Sequence, residues 1–275
     1  MYESFFSLNQ KPFSITSNPS FLFLSQKHKE ALACLTYGIQ ERAGFIEITG
    51  EVGTGKTTLC RALLHQLDEK TKSAYIFNSY LSESQLLQTI VDDLGIPAQK
   101  KTKGALFSEL NRFLIEQLTL DNNVVLIIDE AQNLSHRLLD QIRMLSNLET
   151  DNYKLLQIIL VGQPELSEKL KSPSLRQLRQ RIAVRYHIGP LTLEELPLYI
   201  DHRLRQAGSN GSGPVFSEDA FQEIYEYSQG LPRLINVVCD KALLAAFVLD
   251  QKHVDGKIVK RAVAEIERTP QGDTP

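Results

Sequence analysis

Three glycines, a lysine and three threonines crowd the stretch "GEVGTGKTTLC", which follows the apolar run "FIEIT" and leads into "RALLHQL". The spacing is G-x-x-x-x-G-K-T, from Gly50 to Thr57. "FIEIT" alternates as a strand does, and Leu59, Ala62, Leu63 and Leu67 recur at helical spacing. A plain strand-to-helix turn could also be rich in glycine. Here, however, the pattern sits where successive backbone N–H groups and the positive end of a helix dipole can cradle a pyrophosphate. Gly50, Glu51, Val52, Gly53, Thr54, Gly55, Lys56, Thr57 and Thr58 form that cradle. Lys56 would reach the β- and γ-phosphates, and the Thr57 hydroxyl would ligand Mg²⁺.

Such chemistry calls for carboxylates. "NNVVLIIDEAQNL" supplies them at the end of an unbroken apolar run, Val124 to Ile128, that suits a strand covered on both faces of a parallel sheet. Asp129 and Glu130 follow at its C-terminal end, where open α/β sheets bind ligands. Taken alone, the pair could be a solvated acidic turn. Beside the phosphate loop, Asp129 becomes the second holder of Mg²⁺ through its water shell. Glu130 becomes the residue that polarises an attacking water.

The elements that must position these groups read as alternating strands and helices, hence a parallel, doubly wound sheet. Strands are expected at "FIEIT", "SAYIF", Val124–Ile128, "LLQIILVG" and "IAVRYHI". Helices are expected at about 26–41, after Ser82 with Gln85 in capping-box spacing, and at about 105–118. Thr192 and Glu195 form a second such box, opening a helix to about Gln206. "GSNGSGP" is a loop, Ser217 starts a helix, Gly230 ends it, and Pro232 opens the next. Nothing further reads as strand. The linear division is residues 1–44 as a leading segment with an aromatic cluster and a helix, 45–189 as the nucleotide-binding domain, 190–268 as a helical lid, and 269–275 as a disordered tail.

The 275 residues suit one large or two modest domains, and 42% hydrophobic content can build a core. A net charge of −3 excludes a chain that is basic overall, though not a local basic face. Cys34, Cys60 and Cys239 are too scattered for a metal or disulfide framework, and the histidines are equally dispersed. The N-terminus carries no signal-peptide pattern, and "ALLAAFVL" is too short to span a bilayer, so a cytoplasmic protein is expected.

No Asn-Lys-x-Asp guanine signature is present, and small-molecule kinases rarely follow the acidic strand with "IIDEAQ". A helical domain after the sheet points to the AAA+ class. The chain resembles the AAA+ family of the general secretion pathway A protein, which is related to pilus-biogenesis and transposition ATPases. The resemblance rests on "MYESFFSLNQKPFSITSNPSFLFLS", "GEVGTGKTTLCRALL", "IIDEAQNL", "LVGQPEL", "LRQLRQRI" and "GLPRLINVVCDKALLAA". Longer members continue into a membrane span and a periplasmic part.

The resemblance implies an ATPase using ATP and Mg²⁺, with a five-stranded sheet, a helical lid, and a ring or other homo-oligomer. It assigns Gln163 as the polar sensor, although that residue could instead cap the next helix. It places a finger arginine in "LRQLRQRI", Arg181 first and Arg179 second, where a bare arginine-rich helix face would look similar. Arg233 matches the lid arginine that senses the γ-phosphate. Phe21 and Phe23 either approach the adenine or pack in a core. The implied work is assembly of a type II secretion channel or a type IV pilus, with an inner-membrane assembly protein as partner and a peripheral place at that membrane. The other reading is a transposition matchmaker acting on DNA, which the acidic charge weakens.

Overall fold

Val124 to Ile128 has no polar side to turn to water, and each of these residues is buried. The computed structural model describes residues 1–16, 18–77, 81–150, 153–209, 211 and 213–268. It places this run in a five-stranded sheet whose ladders are all parallel. The strands are β1 (Phe45–Gly50), β2 (Thr71–Ile76), β3 (Asn123–Ile128), β4 (Gln157–Gly162) and β5 (Ile182–Ile188), in the order β2-β3-β4-β1-β5. Parallel neighbours require crossovers. Two helices, α1 (Tyr2–Phe5) and α2 (Gln26–Gln40), precede the sheet, and α3 (Lys56–Gln66) follows β1. Next come α4 (Glu83–Asp93) and α5 (Lys103–Thr119) after β2, and α6 (His136–Leu145) after β3. The crossover from β4 to β5 holds α7 (Pro164–Leu170) and α8 (Arg176–Arg181).

Local chemistry explains the starts. The Ser82 hydroxyl accepts the Gln85 N–H while the Gln85 side chain accepts the Ser82 N–H, the reciprocal pair expected from the spacing. Thr102 and Ser135 cap α5 and α6 one way only, their hydroxyls accepting the N–H groups of Ala105 and Leu138. Because all five strands run one way, the C-terminal ends of β1, β3 and β4 share one edge of the sheet. Gly50, Asp129 and Gln163 stand at or just past those ends.

The chain divides into two compact units. One comprises Gln26–Glu51 and Leu59–Ile188 and holds the sheet. Its core joins Leu126, Ile128, Ile158 and Leu160 of the strands to Leu86, Leu110 and Ile142 of the helices. The other joins Met1–Ser25 and Val52–Thr58 to the chain from Gly189 on. The leading 44 residues are therefore not one segment; they part at Ser25. The cause is apolar burial: Phe6, Phe13 and Phe21 share a core with Ile200, Ile235 and Leu243.

This second unit contains α9 (Glu195–Gln206), α10 (Glu218–Ser228), α11 (Pro232–Val248) and α12 (Gly256–Arg268). The Thr192–Glu195 box forms just ahead of α9, with hydrogen bonds of 3.1 and 3.3 Å. The expectation of no further strand is corrected: β6 (Val215–Phe216) and β7 (His253–Val254) pair in parallel. Two residues per strand leave no alternation to read. Phe21 and Phe23 are packed within this unit. The Arg203 guanidinium lies 4.6 Å from the Phe21 ring centroid, and Phe23 meets Tyr199 edge-on at 5.8 Å. Asn210 and Ser212 of the expected loop, and the expected tail at 269–275, lie outside the described residues. Among the described residues, no helix is long and apolar enough to cross a membrane.

Candidate nucleotide site

The glycine-rich loop occupies residues 51–55, between the end of β1 and the start of α3 at Lys56. Gly53 and Gly55 have φ of +83° and +97°, the left-handed region that side chains oppose. At Gly53 an added Cβ would also lie 2.5 Å from Arg233 Cβ. The backbone explains that proximity: the Arg233 N–H donates to the Gly53 carbonyl at 3.2 Å. A helix leaves its first N–H groups without intrahelical partners, and α11 gives one of them to the loop. Pro232 occupies the first-turn position, where a missing N–H costs nothing. Thr54 and Lys56 are buried, Thr57 and Thr58 half-buried, Glu51 and Val52 exposed, and the Arg233 side chain is exposed.

In the sheet unit, Asp129 is fully buried at the end of β3. Its Oδ2 accepts the Tyr75 phenol at 2.8 Å, and its Oδ1 accepts the Glu130 N–H at 2.9 Å. Burial first, and the Asp129 charge second, push the Tyr75 phenol well above its ordinary value. Tyr75 is therefore a neutral donor at any physiological pH. Glu130 takes a left-handed backbone, φ +52° and ψ +37°, of the kind that concentrates at functional turns. A short 3₁₀ turn, 131–133, follows it.

Glu130 Oε2 accepts two amides, Gln132 Nε2 at 2.5 Å and Gln163 Nε2 at 3.3 Å. Gln163 occupies the N-cap position of α7 but makes no side-chain cap bond there, so its amide turns to Glu130. Tyr75 and Gln132 are the residues that the linear pattern did not single out. The first is visible only once β2 is known to neighbour β3; the second stands two places after Glu130 in a turn without periodicity.

The arginines of α8 differ in environment. Arg176 and Arg179 are exposed, whereas Arg181 is half-buried and donates to the Ser146 hydroxyl at 2.6 Å. On the edge strand, Arg185 pairs with the buried carboxylate of Glu47 at 3.0 Å. The buried Asp129 carboxylate and the half-buried Thr57 hydroxyl are each oxygen donors of the type that a hard cation such as Mg²⁺ takes. Among the described residues, no group of three or more His, Cys, Asp or Glu is placed to hold a metal by itself.

A family model described as an AAA domain matches residues 39–170. Over 248 residues the chain is 48% identical to general secretion pathway protein A of Aeromonas hydrophila, covering 90% of this chain and 45% of that one. The fold is the P-loop AAA+ fold. The chain is also 23% identical over 246 residues to an uncharacterised HTH-type transcriptional regulator of Methanocaldococcus jannaschii, covering 86% of the chain and 59% of the regulator. It spans about half the length of the curated relatives it matches.

Among solved structures, the chain is similar to the Aeropyrum pernix ORC2 protein in its ADPNP-ADP complexes. The TM-score is 0.69 at 18% identity, covering 94% of this chain and 72% of that one. The Thermotoga maritima RuvB branch migration motor gives a TM-score of 0.57 at 16% identity, covering 88% and 69%. At such identities the likeness carries the fold alone: a P-loop AAA+ α/β sheet with helices.

Proposed function

We propose that this chain binds ATP with Mg²⁺, hydrolyses it, and uses the cycle to assemble or remodel a cell-envelope machine of the secretion or pilus type. The observation that carries the chemistry is the Asp129–Glu130 pair, one carboxylate buried under Tyr75 and the other held by the Gln163 amide. The secretion role is supported by the 48% identity to general secretion pathway protein A. Backbone N–H groups of residues 50–58 and the Lys56 ammonium would bind the phosphates. Thr57 and Asp129 would hold Mg²⁺, which when bound neutralises charge on the β- and γ-oxygens. Glu130 accepts a proton from water as the water oxygen bonds to the γ-phosphorus. The bond from phosphorus to the β,γ-bridging oxygen breaks, and its electron pair leaves with ADP. Gln163 orients that water with Glu130, and Arg233 senses the γ-phosphate.

A neighbouring copy would supply a finger arginine. The exposed Arg179 is better placed to leave its own subunit than Arg181, which must first release Ser146. Mixing tests this. Glu130→Gln and Arg179→Ala proteins, each inactive alone, should regain ATPase activity together, in a concentration-dependent manner. Arg181→Ala in place of Arg179→Ala reports on the other candidate. An arginine finger contributes about 10³–10⁵ in rate where it has been measured. If mixed oligomers form and neither pairing regains activity, the shared site is wrong.

A further inference from the structure

Glu130 cannot activate water merely by being present; one of its oxygens must face the water and stay there. The 3₁₀ turn that follows it supplies a means. The Gln132 amide is used at both ends: Nε2 donates to Glu130 Oε2 at 2.5 Å, and Oε1 accepts the Gln163 backbone N–H at 3.1 Å. The second bond fixes the first, because an amide whose oxygen takes an N–H must present its nitrogen to the carboxylate. Gln163 closes the circuit with its own amide on the same Glu130 oxygen, at 3.3 Å.

The turn itself is anchored. The Lys169 ammonium, from α7, donates to the carbonyls of Gln132 and Leu134, the latter at 2.9 Å. The end of β4 leaves room for the amide only because residue 162 is glycine: a Cβ there would lie 2.8 Å from Gln132 Oε1.

We propose that Gln132 is a positioning residue for hydrolysis. Its amide fastens Oε2 of Glu130 and leaves Oε1 to accept the proton of the attacking water, and it ties that setting to Gln163 so that sensor and base move as one. The proposal rests on the reading of Glu130 as the water-activating carboxylate. It goes beyond that reading in making a third residue, one that touches neither nucleotide nor water, set the rate.

The experiment uses two near-isosteric substitutions in the full chain. Gln132→Met keeps the length and removes the donor; Gln132→Glu keeps the acceptor toward Gln163 and turns a donor into a repelling oxygen at Glu130. ATP affinity by calorimetry and thermal melting should match wild type in both. The turnover number should fall about 10- to 100-fold, within the roughly 10²–10⁴ attributable to the base itself, and further for Gln132→Glu. The decisive comparison is the same substitutions placed on Glu130→Gln and followed in single-turnover hydrolysis. A residue acting through Glu130 has nothing left to position, so the added loss should be under about twofold, the scatter of independent sites.

Wild-type turnover in Gln132→Met overturns the proposal. So does an equal added loss in the Glu130→Gln background, which is how a residue that merely packs would behave. Should Gln132→Met melt early, Gln132→Glu alone decides, since it retains the bond to Gln163. If Glu130→Gln itself hydrolyses ATP normally, the failure lies in the role of Glu130 and not in that of Gln132.

Discussion

The Arg233 N–H donates to the Gly53 carbonyl at 3.2 Å, so the first turn of α11 rests on the glycine-rich loop through its backbone. A side chain at position 53 would meet both a φ of +83° and the Arg233 Cβ at 2.5 Å. Left-handed backbone costs an L-residue roughly 1–2 kcal/mol before any clash is counted. Gly53→Ala should therefore lower the melting temperature and weaken ATP binding together. Arg233→Ala keeps the backbone bond and should leave melting unchanged while slowing turnover. Equal melting of Gly53→Ala and wild type would show that the contact is not a constraint.

Tyr75 reaches Asp129 from the neighbouring strand, 2.8 Å from oxygen to oxygen. Residues that hold a metal ligand in place typically contribute about 10- to 100-fold in affinity or activity. Tyr75→Phe should accordingly raise the Mg²⁺ concentration needed for half-maximal ATP hydrolysis by about that factor, at nearly unchanged stability. An unaltered Mg²⁺ titration would remove Asp129 or its orientation from metal binding.

Much of this arrangement is legible in the chain, and the parts that are not share a physical reason. The five strands announce themselves as β-branched and apolar runs because each is buried on at least one face; β1 and β4 are buried throughout. The loop declares itself through the spacing of Gly50, Gly55 and Lys56. Pairings between distant residues have no such local signature. Phe13 and Phe21 read as an aromatic cluster, but nothing in their order says that the helices after Gly189 will cover them. Nor does the order of residues say that Arg181 will bond Ser146, a residue of another element, while Arg179 stays exposed.

A pH effect should arise in the helical unit. Burial chiefly, then the charge of Arg203, pulls His202 below its ordinary value of 6.5, and its Nε2 is buried without a hydrogen bond, beside Phe23. With the folded value depressed, the unfolded chain binds more protons between that value and 6.5. This contribution to stability is complete above 6.5 and is lost as pH falls below it. His202→Gln should flatten the decline of melting temperature on the acid side of that value. A parallel decline in variant and wild type would assign the acid sensitivity elsewhere.

The measurement that bears most directly on the whole account is ATP hydrolysis by Glu130→Gln, with Lys56→Ala beside it. Glu130→Gln keeps the size of the side chain and replaces the proton-accepting oxygen by an amide. It should bind ATP with Mg²⁺ at wild-type affinity in calorimetry and lose about 10²–10⁴ in turnover, the usual contribution of a positioned base. Lys56→Ala should lose binding itself. Normal turnover in Glu130→Gln, or ATP binding of wild-type strength in Lys56→Ala, would contradict the assignment of this chain as an ATP-hydrolysing machine built on those two residues.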